Sequence, residues 1–577
     1  MSAKRIEPAR VAPTTVVRLF SRLGRSSSVG ALAVMCAVVV FQSPGRAQSG
    51  PVVTDPLPFS LSYTVTGNLA VAGVDLFPEP DSADGDPGFQ TGTINVGTAN
   101  TRLIPANAEL LAAWLYWETL VVNPVDLKAD FRGLPVSHLR IDSQPLTGVF
   151  SPCWSQSGNT LYMVRADVLM FFPPQRDENG NPTGRRLVNN MDLIAAGEPL
   201  TKVRLPERGT GNQTPQTAGA SLLFVYRDPT QPLRKIVVYD GVHVQAPGET
   251  TRQRLRGFLQ SSVTGRQASI TQIISRGAPN SADVLTVSGA GTPTVVGDEF
   301  QGNLSPGSDR AWANLTTVVT NSMPGTVVDD AATATIDERE FGEQLTTSVT
   351  YGNQGNNPCH TWAAIALSTT LQDGDKDGLT DVLESPPTNV SVFKDPNGNE
   401  YPKLWTMGAA PNQQDMFVEV NSFRANANTS YGSALHRFPL AAQDPDGDGV
   451  VVDPAGHDHK PTPKTLTMEG DALFRAGVRV HFDVGPLQGT GYSVNSVFYP
   501  FPPQTPGHPS PATYFISGAG ASGGESILET PCVVGTDPLC QFPAFPGTVS
   551  WKFELQQIRD EVVDSGNGTR RFDPMRN

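Results

Sequence analysis

No H-E-x-x-H occurs anywhere in the 577 residues. Two imidazoles one helical turn apart, with a carboxylate between them, are a common way for one helix to hold catalytic zinc. That route is closed to this chain, and Zn²⁺ is not expected in it. Cysteine is scarce: five in all, none in a C-x-x-C or C-x-x-H spacing, which excludes a thiolate zinc cluster. Charge is thin at 17%, and acids outnumber bases 56 to 42. A net charge of −14 repels nucleic acid and anionic lipid, so no nucleic-acid partner is expected. The longest apolar run, Val29 to Phe41, has 13 residues, short of the roughly 20 that cross a bilayer as a helix. No membrane span is expected.

That short run has a context of its own. Lys4, Arg5, Arg10, Arg18, Arg22 and Arg25 precede it and "SPGRAQSG" follows. This is the layout of a secretory signal peptide over 1–47, cleaved after Ala47, and it predicts a secreted, extracellular or cell-surface protein. The remaining chain holds 35 basic and 55 acidic residues, a net charge near −20, suited to holding divalent cations. Four cysteines survive cleavage. Cys532 and Cys540 flank a short loop that a bridge would close, and elimination pairs Cys153 with Cys359. The alternative is buried free thiols.

Gly 55 and Pro 50 are high, yet they are spread between apolar segments, as in a loop-rich β protein rather than a disordered one. "LSYTVTGNLAVAGVDLF", "ELLAAWLYWETLVV", "TLYMVRADVLMFF", "ASLLFVYRD" and "RKIVVYDGVHV" are β-branched or aromatic runs separated by turn residues. A shorter set, "ASITQIISRG", "AWANLTTVVT" and "TWAAIALSTTL", follows a similar order. The fold class expected is mainly β: tandem antiparallel sandwiches over 52–247 and 248–371, then a calcium loop and connector over 372–411. The last part, 412–577, reads as an α/β module. There "DMFVEVNSF" and "VRVHFDVG" are strands. "TPKTLTMEGDALFRAG" is a helix capped by Thr462, with Pro463 first, Gly477 at its end, and Leu466, Leu473 and Phe474 on its buried face.

Between sandwich and module stands "LQDGDKDGLTDVLESPP". Counted from Asp373, the acids Asp375 and Asp377 fall at positions three and five. Gly378 is at six, Leu379 at seven, Asp381 at nine and Glu384 at twelve. Calcium needs about six to eight oxygens, and this is the register of an EF-hand-type loop that supplies them. Alternate carboxylates, the Leu379 carbonyl and a bidentate Glu384 would be the ligands, with glycine permitting the turn. Without an ion the five acids and Lys376 leave a formal charge of −4. Position eight is Thr380 rather than an aliphatic residue, and no amphipathic helix precedes Asp373. The alternative is a solvated acidic loop. A second stretch, "DPDGDGVVVDPAGHDH", offers Asp444, Asp446, Asp448, Val450 and Asp453 as a further calcium set, but Ala455 stands where the bidentate acid belongs.

The phrase "DGDKDGLTDVLE" resembles the EF-hand-like calcium repeats of thrombospondin type 3 and bacterial adhesins. "GASLLFVYRDPTQPLRKIVVYDG", "GAAPNQQDMFVEVNSF", "GHDHKPTPKTL" and "ALFRAGVRVHFDVG" resemble large secreted bacterial proteins that carry β-sandwich modules, a calcium loop and a zincin-like metalloprotease domain. The resemblance implies the first strands and helix of a zincin, without the zinc-binding helix. His457, His459, His481 and Asp483 could form a substitute site; the simpler reading places the first two in a loop and His481 in a core. The glycine tract "SGAGASGGES" satisfies G-x-G-x-x-G and G-x-S-x-G, but both chemistries need a following helix, and "ESILET" ends at Pro531.

The function expected is therefore that of a non-catalytic, calcium-binding, multidomain protein with a structural, adhesion or binding role, its partners a cell-surface polymer or protein. A truncated or inactive metalloprotease is one alternative. A carbohydrate-binding protein is another, with Trp114, Tyr116 and Trp117 as a glycan face; a plain core strand explains those three more simply.

Overall fold

The computed structural model describes residues 51–76, 88–96, 103–122, 127–137, 140–146, 159–176, 178, 185–186, 201–207, 214–246, 248–259, 267–277, 284–289, 294–297, 311–320, 326–327, 338–350, 360–385, 393–420, 422–433, 450–453, 456–484, 514–516 and 526–528. The signal segment 1–47, the four remaining cysteines, most of the glycine tract, and Asp444, Asp446 and Asp448 lie outside them. Among the described residues no helix is long and apolar enough to cross a membrane.

The fold is mainly β. Its centre is a nine-stranded antiparallel sheet in the order Ala311–Thr320, Gln267–Gly277, His360–Thr370, Leu233–Gln245, Phe59–Asp75, Gln216–Arg227, Glu109–Val121, Thr160–Asp167, Arg140–Pro145. The two segments that the sequence reads as tandem sandwiches thus share one sheet: His360–Thr370 pairs with Leu233–Gln245 across the boundary at residue 248.

The long apolar runs have a physical reason. In Gln216–Arg227 every residue but the last is buried. Side chains alternate between faces in a strand, so Ala220, Leu222, Phe224 and Tyr226 enter one core while Leu223 and Val225 enter another. The first core is closed by a four-stranded sheet of Phe89–Thr93, Lys202–Pro206, Asp130–Phe131 and Leu134–Pro135. A third core lies between the Gln267–Gly277, His360–Thr370 end and a six-stranded sheet built on Thr250–Phe258, Glu343–Thr350 and Val284–Ser288. A strand covered on both faces reads as unbroken hydrophobicity.

The central sheet also coils on itself. Neighbouring strands lie about 4.8 Å apart, so strands three places apart in a flat sheet are about 14 Å apart. Tyr116 and Asp240 stand on two such strands, yet the Tyr116 hydroxyl donates to Asp240 Oδ2 at 2.9 Å. The coil buries Tyr116 completely, and on the opposite face the core closed by the four-stranded sheet buries Trp117 as fully. A glycan face built on them is therefore excluded, and they serve as core.

Beyond the sheet system, Asp415–Glu419 pairs in parallel with Arg479–Asp483. The helix Pro463–Arg475 precedes the second of these, with Thr462 Oγ1 accepting from Thr465 N at 3.3 Å and Gly477 at φ +93° ending it. Leu466 is buried with Val420, Val480, Phe482, Val484 and Tyr514, and Leu473 packs against them.

Candidate metal centre

The acidic loop hangs directly from the core. His360–Thr370 is buried throughout, and the next amide, Leu371 N, donates to Leu233 O at 2.9 Å. Charge then crowds onto a chain that has just left an apolar interior, and the backbone wraps around its own carboxylates. Asp373 Oδ1 accepts from Lys376 N at 2.7 Å and Oδ2 from Gly378 N at 3.2 Å. Asp375 Oδ1 accepts from Asp377 N at 3.3 Å, and Asp377 Oδ1 from Leu379 N at 2.7 Å. The turn needs left-handed backbone at Lys376 (φ +67°) and Gly378 (φ +92°), and glycine holds the second at no steric cost.

A single helical turn, Asp381–Glu384, closes the loop. It carries Glu384 inward until only 2% of the residue is exposed, and neither Glu384 oxygen has a hydrogen-bond partner. Asp375 Oδ2 is unpartnered as well. Asp381 turns the other way, its Oδ1 accepting from Gly374 N at 2.8 Å.

A further carboxylate comes from outside the loop. Asp415, which opens the Asp415–Glu419 strand, is buried, and its amide donates to Asp377 Oδ2 at 2.8 Å. Its Oδ1 meets His481 Nε2 at 2.7 Å and its Oδ2 accepts from Ala410 N at 2.9 Å. Two groups of oxygens each lie within 4.8 Å of one another: Asp373, Asp375 and Asp377, and Asp377, Glu384 and Asp415. Asp377 belongs to both.

Such crowding raises proton affinity. Glu384 is pushed up to about 8, first by burial and then by Asp377, Asp375, Asp415 and Asp381. Burial likewise raises Asp373, Asp375 and Asp377 above the ordinary aspartate value, with neighbouring acids adding to it. A buried carboxylate with no donor is costly, and a cation removes that cost where protons would otherwise have to. The donors are all oxygens, which suits a hard divalent ion rather than a thiophilic one.

The structure therefore brings together Asp373, Asp375, Asp377 and Glu384, leaves Asp381 beside them on the backbone of Gly374, and adds Asp415. Leu379, at position seven, donates its amide to Asp377. In the second stretch Val450 and Asp453 lie at the ends of a strand paired with Thr429–Ser433. Of the histidines, His457 sits in a short strand opposite Ala425, His459 is exposed, and His481 is buried and stacked on Phe417 at 4.6 Å. Among the described residues no histidine joins a metal-holding group. Asp415 escapes sequence reasoning because it lies far from the loop; its one signal is an acid placed to open an apolar strand.

No family model matches this chain, and no curated protein does. Among solved structures, dimeric latent PorU from Porphyromonas gingivalis is similar over 53% of this chain and 25% of its own, at 9% identity and a TM-score of 0.14. This chain thus spans about a quarter of that protein's length, and a likeness so slight leaves both fold and function to be argued from the residues.

Proposed function

We propose that this chain is an exported calcium-binding protein, secreted or held at the cell surface, whose role is architectural: display, adhesion, or binding of a surface polymer or protein. It carries no catalytic centre of its own in this reading. The observation that supports it is Glu384, 2% exposed with both oxygens unpartnered among neighbouring acids. Calcium fits better than magnesium, which demands near-octahedral geometry and keeps much of its water. Several carboxylates on a short loop, one of them able to bind through both oxygens, favour the larger ion.

The 412–577 region is an α/β module in the same reading, resting on the parallel pair Asp415–Glu419 and Arg479–Asp483 and the helix before the latter. Extracellular calcium modules bind at roughly 10⁻⁴–10⁻³ M, so the loop is filled outside the cell. Asp444, Asp446, Asp448, Val450 and Asp453 would give a second, weaker site.

Calorimetric titration of the mature chain with calcium tests this. Asp375→Ala and Glu384→Ala should each abolish the stronger binding event, and Asp446→Ala should remove only the weaker one. A mature chain that takes up no calcium, or one that cleaves peptides unaided, overturns the proposal.

A further inference from the structure

We infer that Asp415 is a ligand to the loop's cation, that His481 is the positioning residue which aims it, and that filling the site is what seats the Asp415–Glu419 strand on the loop. This rests on the calcium reading above and goes beyond it, because it makes the ion a bridge between two parts of the chain rather than a staple within one.

Three features of the geometry carry it. First, the strand's approach to the loop is strapped from both sides: Asp415 N donates to Asp377 Oδ2 at 2.8 Å, and Gln414 Nε2 donates to the carbonyl of Asp375 at 2.9 Å. Second, that approach drives Asp415 within 4.8 Å of Asp377 and Glu384. Asp415 is 5% exposed and Glu384 2%, so water screens their repulsion poorly. Two hydrogen bonds do not hold three carboxylates together in such a place; a divalent cation among them does. Third, Asp415 is pre-aimed. His481 Nε2 at 2.7 Å and Ala410 N at 2.9 Å occupy one position on each oxygen. A carboxylate has about four lone-pair sites, so each oxygen still has one to give.

His481 is fixed in turn. Its ring stacks on Phe417 at 4.6 Å and 19°, and any Cβ at Gly408 would stand 2.8 Å from its Cε1. The arrangement holds a ligand's rotamer as outer partners do in other metal sites. Since Asp415–Glu419 pairs with Arg479–Asp483, ion occupancy and the seating of this two-stranded unit form one linked equilibrium.

Amide hydrogen exchange on the mature full-length chain, with calcium chloride or with chelator, reads the seating directly. Chelator should lower protection in Asp415–Glu419 and Arg479–Asp483 while Gln216–Arg227 stays unchanged. Asp415→Asn should weaken calcium binding about tenfold or more and show the chelator pattern even in calcium. His481→Phe, which loses the donor, should weaken binding similarly, and His481→Gln, which keeps one, should restore it. If calcium binds the wild type and Glu384→Ala abolishes that binding, yet Asp415→Asn binds normally and exchange ignores calcium, the bridge is wrong and the calcium site stands. If the wild type binds no calcium, both fall. Should a variant fail to fold, the wild-type exchange comparison decides alone.

Discussion

Thr361 Oγ1 donates to Glu118 Oε2 at 2.5 Å, joining strands from distant parts of the chain across the inside of the coiled sheet. Ser275 Oγ donates to the same oxygen at 3.0 Å. Glu118 is fully buried, and burial pushes its carboxyl up to about 7 against the pull of these two hydroxyls. The folded chain therefore holds a proton there that the unfolded chain releases above its ordinary value near 4.5. Its contribution to stability is present in full below that value and is lost as pH rises past about 7. The loss is on the order of 3 kcal/mol. Urea unfolding at pH 5 and pH 8, in saturating calcium, should show wild type losing stability over this interval and Glu118→Gln losing less. Parallel pH profiles for the two would refute the assignment.

What the sequence made legible follows from which interactions are local. Strands such as Glu109–Val121 and Gln216–Arg227 announce themselves because both faces are largely buried and most of their positions are apolar, aromatic or small. The helix Pro463–Arg475 is legible through its cap, its first-turn proline and its terminal glycine, all within one short window. Sheet order is not local. Nothing in "TWAAIALSTTL" says that it will lie beside "RKIVVYDGVHV", so a shared sheet reads as two sandwiches. The loop's candidate ligands are legible because their acids recur at every second residue, the spacing that an EF-hand-type loop uses. Asp415 is not, because its part in the site is set by a strand arriving from elsewhere.

Calcium should stabilise the fold by mass action. With the ion at about 100 times its Kd the gain is about 3 kcal/mol, so chelator should lower the thermal midpoint of wild type. Glu384→Gln should remove most of that response. In chelator the same variant should melt at or above wild type, since it deletes a carboxyl whose ionisation burial and neighbouring acids oppose. A variant that keeps the full calcium response would place the ion elsewhere.

Asp240 tests the coil of the central sheet. It is fully buried between Arg140 Nη1 at 2.7 Å, the Arg165 guanidinium and the Tyr116 hydroxyl. Asp240→Ala leaves Arg165 buried with its charge uncompensated, and should cost about 3–5 kcal/mol. Tyr116→Phe removes one neutral donor and should cost about 1–2 kcal/mol. The ratio is informative: equal losses in denaturant unfolding would mean that packing, not charge, holds the two sides together.

Two glycines with the same backbone but different surroundings test how the connector after the loop is held. Gly257 and Gly248 both lie in the left-handed region, at φ +90° and +77°. A methyl group at Gly248 meets nothing within 4 Å, whereas one at Gly257 stands 2.5 Å from Pro396 Cδ. Pro396 belongs to a connector that is pressed onto the sheets. Phe393 beside it is buried, Phe393 stacks on Tyr401 at 5.5 Å, and Lys235 Nζ sits 4.7 Å over the Tyr401 ring. Gly248→Ala should cost only backbone strain, about 1–2 kcal/mol. Gly257→Ala adds an overlap that the rigid proline ring cannot evade, about 1–3 kcal/mol more, and the connector must lift to relieve it. Lifting exposes 393–408, so limited proteolysis should cut there faster in Gly257→Ala than in Gly248→Ala at matched stability. Equal cutting would mean that the connector is held by contacts other than this one, and that Gly257 serves the turn alone.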